Sequence, residues 1–248
     1  MSLRFHEIAE ERHRILNPFT GEQLALLGDI CRLRGGMRQL DLCCGKGEML
    51  CRWSARYALS GIGVDLSPVF LRAARERAVE LGCADRLAFV EADAASYPIP
   101  AGAFDVVSCI GATWIGGGLV GTLRRMRPGL RDADSLLLVG EPYWNDAPPP
   151  EAVAAISGGD RDAFADLPGT LARIESAGME LVEMVLADGH GWDRYVAPQW
   201  MTVSDWLRAN PDDPDAPEIR RRHERNRPEY LAYMRRFLGW GVFVLRQP

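Results

Sequence analysis

A chain of 248 residues, 47% hydrophobic and 25% charged, has the size and composition of one α/β domain with insertions, able to bury roughly 70–75% of the surface its unfolded form exposes. Its formal net charge of -5 argues against affinity for nucleic-acid backbones or anionic lipid. The N-terminus is charged throughout, unlike a signal peptide, and no apolar run reaches the ~18 residues of a membrane span, so the expected location is cytoplasmic.

Residues 3–15 are polar with a minority of apolar positions and predict a lid helix, broken at Asn17-Pro18. Thr20 is placed to cap a second helix through about Leu33, with Leu24 and Leu27 on one face and Gly35-Gly36 behind it. From there strands and helices alternate. The predicted strands are Gln39–Cys43, Gly61–Asp65, Leu87–Glu91, Phe104–Ile110, Ser135–Gly140, Glu180–Ala187 and Trp240–Leu245. Between them, Glu48–Tyr57 carries Leu50, Trp53 and Tyr57 at helical spacing, Ser67-Pro68 opens a helix that stops at Gly82, and Leu119–Met126 ends at Pro128-Gly129. The segments 142–168 and 189–236 do not fit the alternation and are expected to cover the sheet's carboxyl edge, the second as a helical cap with helices at Trp200–Ala209 and near Pro217–Asn226.

The expected fold is therefore α/β, a Rossmann-like doubly wound sheet of about seven strands, mostly parallel with an antiparallel last strand. The expected organisation is lid helices over 1–34, a central domain over 35–188 and 237–248, and the cap over 189–236.

Six cysteines (Cys31, Cys43, Cys44, Cys51, Cys83, Cys109) form no C-x-x-C pair and none stands beside a histidine at zinc-ligand spacing, so they read as reduced thiols and no metal site is expected. Acidic residues fall at strand ends instead: Asp41, Asp65, Asp93 and Glu141. In open α/β sheets ligands sit there. A carboxylate after the second strand suits a ribose diol, and one after the third suits an adenine amino group. Gly45-x-Gly47 is followed by Leu50 where a dinucleotide fold needs a third glycine, which turns the reading from dinucleotides toward S-adenosylmethionine (SAM).

On L-D-L-C-C-G-K-G at 40–47, G-V-D-L-S-P at 63–68, E-A-D-A at 91–94, F-D-V-V-S-C at 104–109 and M-R-P-G-L with L-L-L-V-G-E over 126–141, the chain resembles a class I SAM-dependent methyltransferase. The resemblance implies SAM as cofactor. It assigns Gly45 and Gly47 to the methionyl and ribose side, Asp65 with Leu66 to the ribose, Asp93 and Ala94 to adenine, and Asp41 to the amino group. Cys109 and Ile110 would line the methyl-donor site. Cys43 stands where the family commonly has its first glycine, against the methionine end of SAM.

No [N/D]-P-P-[Y/F] run follows the fourth strand, so planar amines of nucleic acids lose support as acceptors. A small-molecule acceptor is expected, methylated at N, O or C. The alternatives are RNA or protein methylation, or SAM binding without chemistry. Trp114, Tyr143, Trp144 and His6 are candidate acceptor contacts, and Glu141 and His190 candidate catalytic groups. Trp192, Tyr195, Trp200 and Trp206 crowd the cap and are candidate roof residues. The arginines at 220–222 are interleaved with acids and read as a solvated helix face, and a homodimer is compatible with the sequence without being specified by it.

Overall fold

The computed structural model describes residues 3–248. Seven strands, β1 (Arg38–Leu42), β2 (Ser60–Asp65), β3 (Leu87–Glu91), β4 (Val106–Ile110), β5 (Leu136–Trp144), β6 (Glu180–Leu186) and β7 (Leu238–Arg246), form one sheet in the order β3-β2-β1-β4-β5-β7-β6. Pairings from β3 through β5 are parallel, and β7 runs antiparallel to both β5 and β6. Chain order reverses between β1 and β4, which opens a crevice at their carboxyl ends.

The longer helices are α1 (Leu3–Ala9), α2 (Gly21–Ile30), α3 (Glu48–Tyr57), α4 (Pro68–Glu80), α5 (Leu119–Met126), α6 (Pro150–Ser157), α7 (Leu167–Ser176), α8 (Gly189–Ala209) and α9 (Ala216–Glu229), and a single turn, Arg235–Phe237, leads into β7. Successive strand residues fall alternately into two cores: Val106 against Val107, Leu138 against Leu137, Val244 against Leu245. Leu24 and Leu27 of α2 and Leu50 and Trp53 of α3 fill the first core, and Leu119 and Leu123 of α5 with Ile174 of α7 fill the second. A sheet covered on both faces needs such continuous apolar strands. Each fully buried Leu contributes on the order of 2 kcal/mol, and Trp53 keeps its one polar atom satisfied by donating Nε1–H to Leu24 O at 3.0 Å.

Local signals set the helix starts. Thr20 and Gln23 form a reciprocal capping box on α2, Ser67 accepts from Phe70 N–H at the head of α4, and Asp188 accepts from Gly191 N–H at the head of α8.

Three elements depart from expectation. The first helix stops at Ala9, well short of residue 15: Glu11 N–H turns to Ile8 O at 3.2 Å and His13 N–H to Glu10 O at 3.0 Å, and the Lys46 ammonium binds the carbonyls of Glu10, Glu11 and His13 in the turns that follow. β5 continues through Pro142 to Trp144; past Gly140 it pairs with β7 alone, so the proline costs no bond to β4. The segment after β6 opens with one 21-residue helix, α8, that carries Pro198 inside it. The lid segment expected from residue 1 is described from Leu3 onward, its first two residues lying outside the described residues.

Candidate functional site

The turn between β1 and α3 is built from three left-handed residues, Cys43 (φ 56), Gly45 (φ 55) and Gly47 (φ 63). Gly45 N–H donates to Asp65 Oδ2 at 2.8 Å and Ser67 N–H donates to Asp65 Oδ1 at 2.9 Å, so the carboxylate ending β2 holds the turn and the head of α4 together. A Cβ on Gly47 would stand 2.8 Å from Phe89 Cε1, and one on Gly45 would stand 2.7 Å from Leu16 Cδ1. Gly47 is thus required by space as well as by backbone, whereas at Gly45 the leucine tip can yield and the left-handed backbone is what favours glycine.

Cys43 has the left-handed conformation without the freedom of glycine. The strain is worth about 1–2 kcal/mol, against roughly 0.5–1 kcal/mol that glycine costs in unfolded-chain entropy. Cys43→Gly is expected to raise the melting temperature by about 1–3 °C, read by calorimetry or circular dichroism. A lower melting temperature would show that the thiol's packing outweighs the backbone term.

Above this turn lies a cavity of about 690 Å³. Its floor includes Asp41, Cys43, Cys44, Gly45, Asp65, Leu66, Asp93, Ala94 and Ile110. Residues Arg14–Asn17 with Phe19, Leu24 and Leu27 form one wall; Gly111, Ala112, Trp114 and Ile115, from the loop after β4, form another. His6 reaches it from α1, and Tyr195 is the residue of α8 that does so. Asp41 is 3% exposed and accepts from Ser108 Oγ–H at 2.6 Å, while Gln39 Nε2–H donates to Ser108 Oγ at 2.9 Å. Burial pushes the Asp41 carboxyl up to about 7, against the hydrogen bond from Ser108, with the Asp65 charge adding to the rise. Burial also raises Asp65, opposed by the N–H groups of Ser67 and Gly45. Asp93 is exposed and accepts from Ala95 N–H at 2.9 Å, beside buried Ala94.

The N-terminal segment is fastened over the turn. Lys46 Nζ donates to the carbonyls of Glu10, Glu11 and His13 at 2.7, 2.8 and 2.8 Å. Ser67 Oγ–H donates to Glu7 Oε1, and Arg4 pairs with Asp213 and Asp215, Arg12 with Asp205 and Arg14 with Glu80. Exposed pairs of this kind are worth little each. The Lys46 bonds are charge-assisted and partly buried, so Lys46→Met is expected to loosen the segment by about 2 kcal/mol, which speeds amide exchange over residues 8–14 roughly thirtyfold. Unchanged exchange there would show that the ion pairs alone suffice.

Several expected site residues sit elsewhere. β5 carries Glu141, Tyr143 and Trp144 inward: none lines the cavity. Trp144 stacks edge-on against Phe164 and donates Nε1–H to Arg161 O, and Tyr143 is 4% exposed in the second core. Glu141 accepts from Thr113 Oγ1–H at 2.6 Å, and burial pushes its carboxyl up to about 7. Its contact is with the loop after β4, not with the cavity. His190 is exposed in the first turn of α8, outside the lining. Cys109 is fully buried, because strand alternation turns Ile110 to the cavity and its neighbour into the core. Gly47 backs the turn against Phe89 and Ala74. Trp192, Trp200 and Trp206 are outside the lining: Trp192 belongs to the first core, Trp200 stacks on Tyr230, and Trp206 packs against the cluster of Ile8 and Leu207. Sequence reasoning missed Lys46, although it lies inside the glycine motif, and Ser108, whose only signal was its register opposite Asp41.

Residues 40–132 match a family model described as a methyltransferase domain. Over 243 residues the chain is 43% identical to YjhP, an uncharacterized protein of Escherichia coli (strain K12), covering 98% of this chain and 97% of that one. The fold superposes with a TM-score of 0.94 on the crystal structure of a SAM-dependent methyltransferase from Geobacter sulfurreducens in complex with S-adenosyl-L-homocysteine; the two are 44% identical, over 99% of this chain and 98% of that one. A shorter match, 36% identical over 81 residues, covers 33% of this chain and 30% of a 27-O-demethylrifamycin SV methyltransferase from Amycolatopsis mediterranei (strain S699).

Proposed function

This chain belongs to the class I SAM-dependent methyltransferases, and from that membership we propose that it methylates a small-molecule acceptor held beneath its N-terminal segment. The residues around the cavity fit SAM. The φ of +55 at Gly45 and the missing Cβ allow close approach to the turn. Asp65 spends one lone pair of each oxygen on backbone N–H groups and faces the cavity, leaving acceptor capacity for a ribose diol. Asp41, anchored by Ser108, is the floor carboxyl for the amino group, and Asp93 with Ala94 meets the adenine.

SAM supplies an electrophilic methyl group on a sulfonium. The protein's share is chiefly alignment and exclusion of water. Thr113, fixed by Glu141 and by its carbonyl's bond from Thr122 Oγ1–H, sets the loop carrying Trp114, which borders the acceptor side. In this reading Glu141 is a positioning residue.

The observation that carries the small-molecule reading is the cavity itself. At about 690 Å³ it falls within the 300–1,000 Å³ usual for small-ligand sites, and Arg14–Asn17 with Phe19 wall it where a polymer would need a groove. The rifamycin methyltransferase, by its name, acts on a substrate of this class, and the match covers a third of this chain. The test is calorimetry with SAM and S-adenosylhomocysteine, then incubation with methyl-labelled SAM and a whole-cell extract separated afterwards into low-mass, RNA and protein fractions and read by mass spectrometry. A labelled metabolite is expected. Label appearing only in RNA or protein would overturn the reading.

A further inference from the structure

Under the N-terminal segment lies a buried polar cluster that the reading above leaves unused. Glu10 is 1% exposed. Its Oε1 accepts from Gln199 Nε2–H at 3.1 Å, and its Oε2 stands 3.1 Å from His13 Nδ1 without a hydrogen bond of proper geometry. Both ring nitrogens of His13 are buried and unpartnered, as is Asn17 Oδ1. Burying such groups unmatched is costly, and native cores rarely leave them so. The His13 ring stands 5.7 Å from that of Tyr195. Tyr195, His6 and Asn17 all open onto the cavity, while Glu10 lies behind them. The groups facing Glu10 are His6 and His13 from its own segment, Lys46 from the glycine turn, and Tyr195 and Gln199 from α8.

Resting on the methyl-transfer reading, we propose that Tyr195 receives the acceptor's nucleophilic O–H or N–H, and that Glu10 and His13 position Tyr195 and take up the proton released on methylation. The acceptor is then a hydroxyl or amine compound with an apolar body, the latter matched by Phe19, Leu24 and Leu27. Burial and the adjacent Glu10 carboxylate keep the Tyr195 phenol protonated. The phenol therefore offers its lone pair to the acceptor while its O–H points back to the carboxylate. In the transfer the acceptor heteroatom gains a bond to the methyl carbon, and the carbon–sulfur bond breaks with its electron pair left on sulfur. The acceptor's proton passes to Tyr195 Oη as the phenol's own proton passes to Glu10, which ends the step as the neutral acid beside His13.

The test uses the full chain, methyl-labelled SAM and a set of low-mass phenols and primary and secondary amines. Wild type is expected to methylate at least one. Tyr195→Phe and Glu10→Gln are each expected to lower kcat by about 100-fold, the ordinary worth of positioned acid–base help, with SAM affinity by calorimetry within about twofold of wild type. Glu10→Gln should also remove the solvent deuterium isotope effect on kcat, which a merely structural role would leave in place. Tyr195→Phe turning over within about threefold of wild type overturns the proposal. So does wild type that binds SAM yet methylates no phenol or amine, a result that leaves methyl transfer itself standing. Wild type that fails to bind SAM overturns the methyl-transfer reading beneath it instead.

Discussion

Asp65→Ala is expected to weaken SAM binding by at least about 100-fold, since two charge-assisted hydrogen bonds to a diol are worth some 1.5–3 kcal/mol each. The same carboxylate accepts from Gly45 and Ser67 N–H, so the substitution also orphans two backbone donors and should lower stability by about 2–3 kcal/mol. Asp65→Asn separates the effects. Its one carbonyl oxygen can still serve a backbone donor, so stability should recover in part while affinity stays poor. Calorimetric titration with S-adenosylhomocysteine and a denaturant melt on both variants give the two readouts. An alanine variant that binds within about fivefold of wild type would remove Asp65 from the ligand.

SAM affinity is expected to rise with pH between about 6 and 8. Burial lifts Asp41 to about 7, so the free protein below that pH carries a neutral carboxyl where a cationic amino group needs an anion. Each pH unit below 7 should then raise the apparent Kd up to about tenfold, with a proton released on binding. Asp41→Asn should flatten that slope. Stability runs the opposite way. Asp41 and Glu141 have folded pKa values of about 7, raised from ordinary carboxylate values of 3.8 and 4.5. In the window from about 4 to 7 the folded state therefore binds more protons than the unfolded one. Stability is fully present below the unfolded values and falls as pH rises through 7, by on the order of 3 kcal/mol per group. Melting temperature across pH 4–8 for wild type, Asp41→Asn and Glu141→Gln checks this; a flat wild-type profile would contradict it.

The sheet was legible because its signals are local. Each strand of β1–β5 is a short apolar run ending near an acid or glycine, and Ser67-Pro68 and Thr20 announce their helices within four residues. The floor of the cavity was legible for the same reason: Gly45 and Asp65, twenty positions apart, sit in consecutive motifs. The end of β5 was misread because Pro142 looks like a terminator unless one knows that its β4 neighbour has already ended. That misreading carried Glu141, Tyr143 and Trp144 to a strand end, when they are embedded in the strand. Of the roof, only single residues such as His6 and Tyr195 were legible, and the contacts that hold it were not. Glu10 and Gln199 meet across 189 positions, and Lys46 reaches back 36 to Glu10, distances at which no periodicity speaks. Trp192, Trp200 and Trp206 looked like roof residues on composition, yet of the four candidates Tyr195 alone opens onto the cavity.

In the function proposed above, Lys46 belongs to the turn that would meet the donor, and the three carbonyls it holds belong to the segment that would cover the acceptor. Free energy that orders one therefore reaches the other in equal measure, by reciprocity. Donor and acceptor are then expected to raise each other's affinity by the same factor, which paired calorimetric titrations would read.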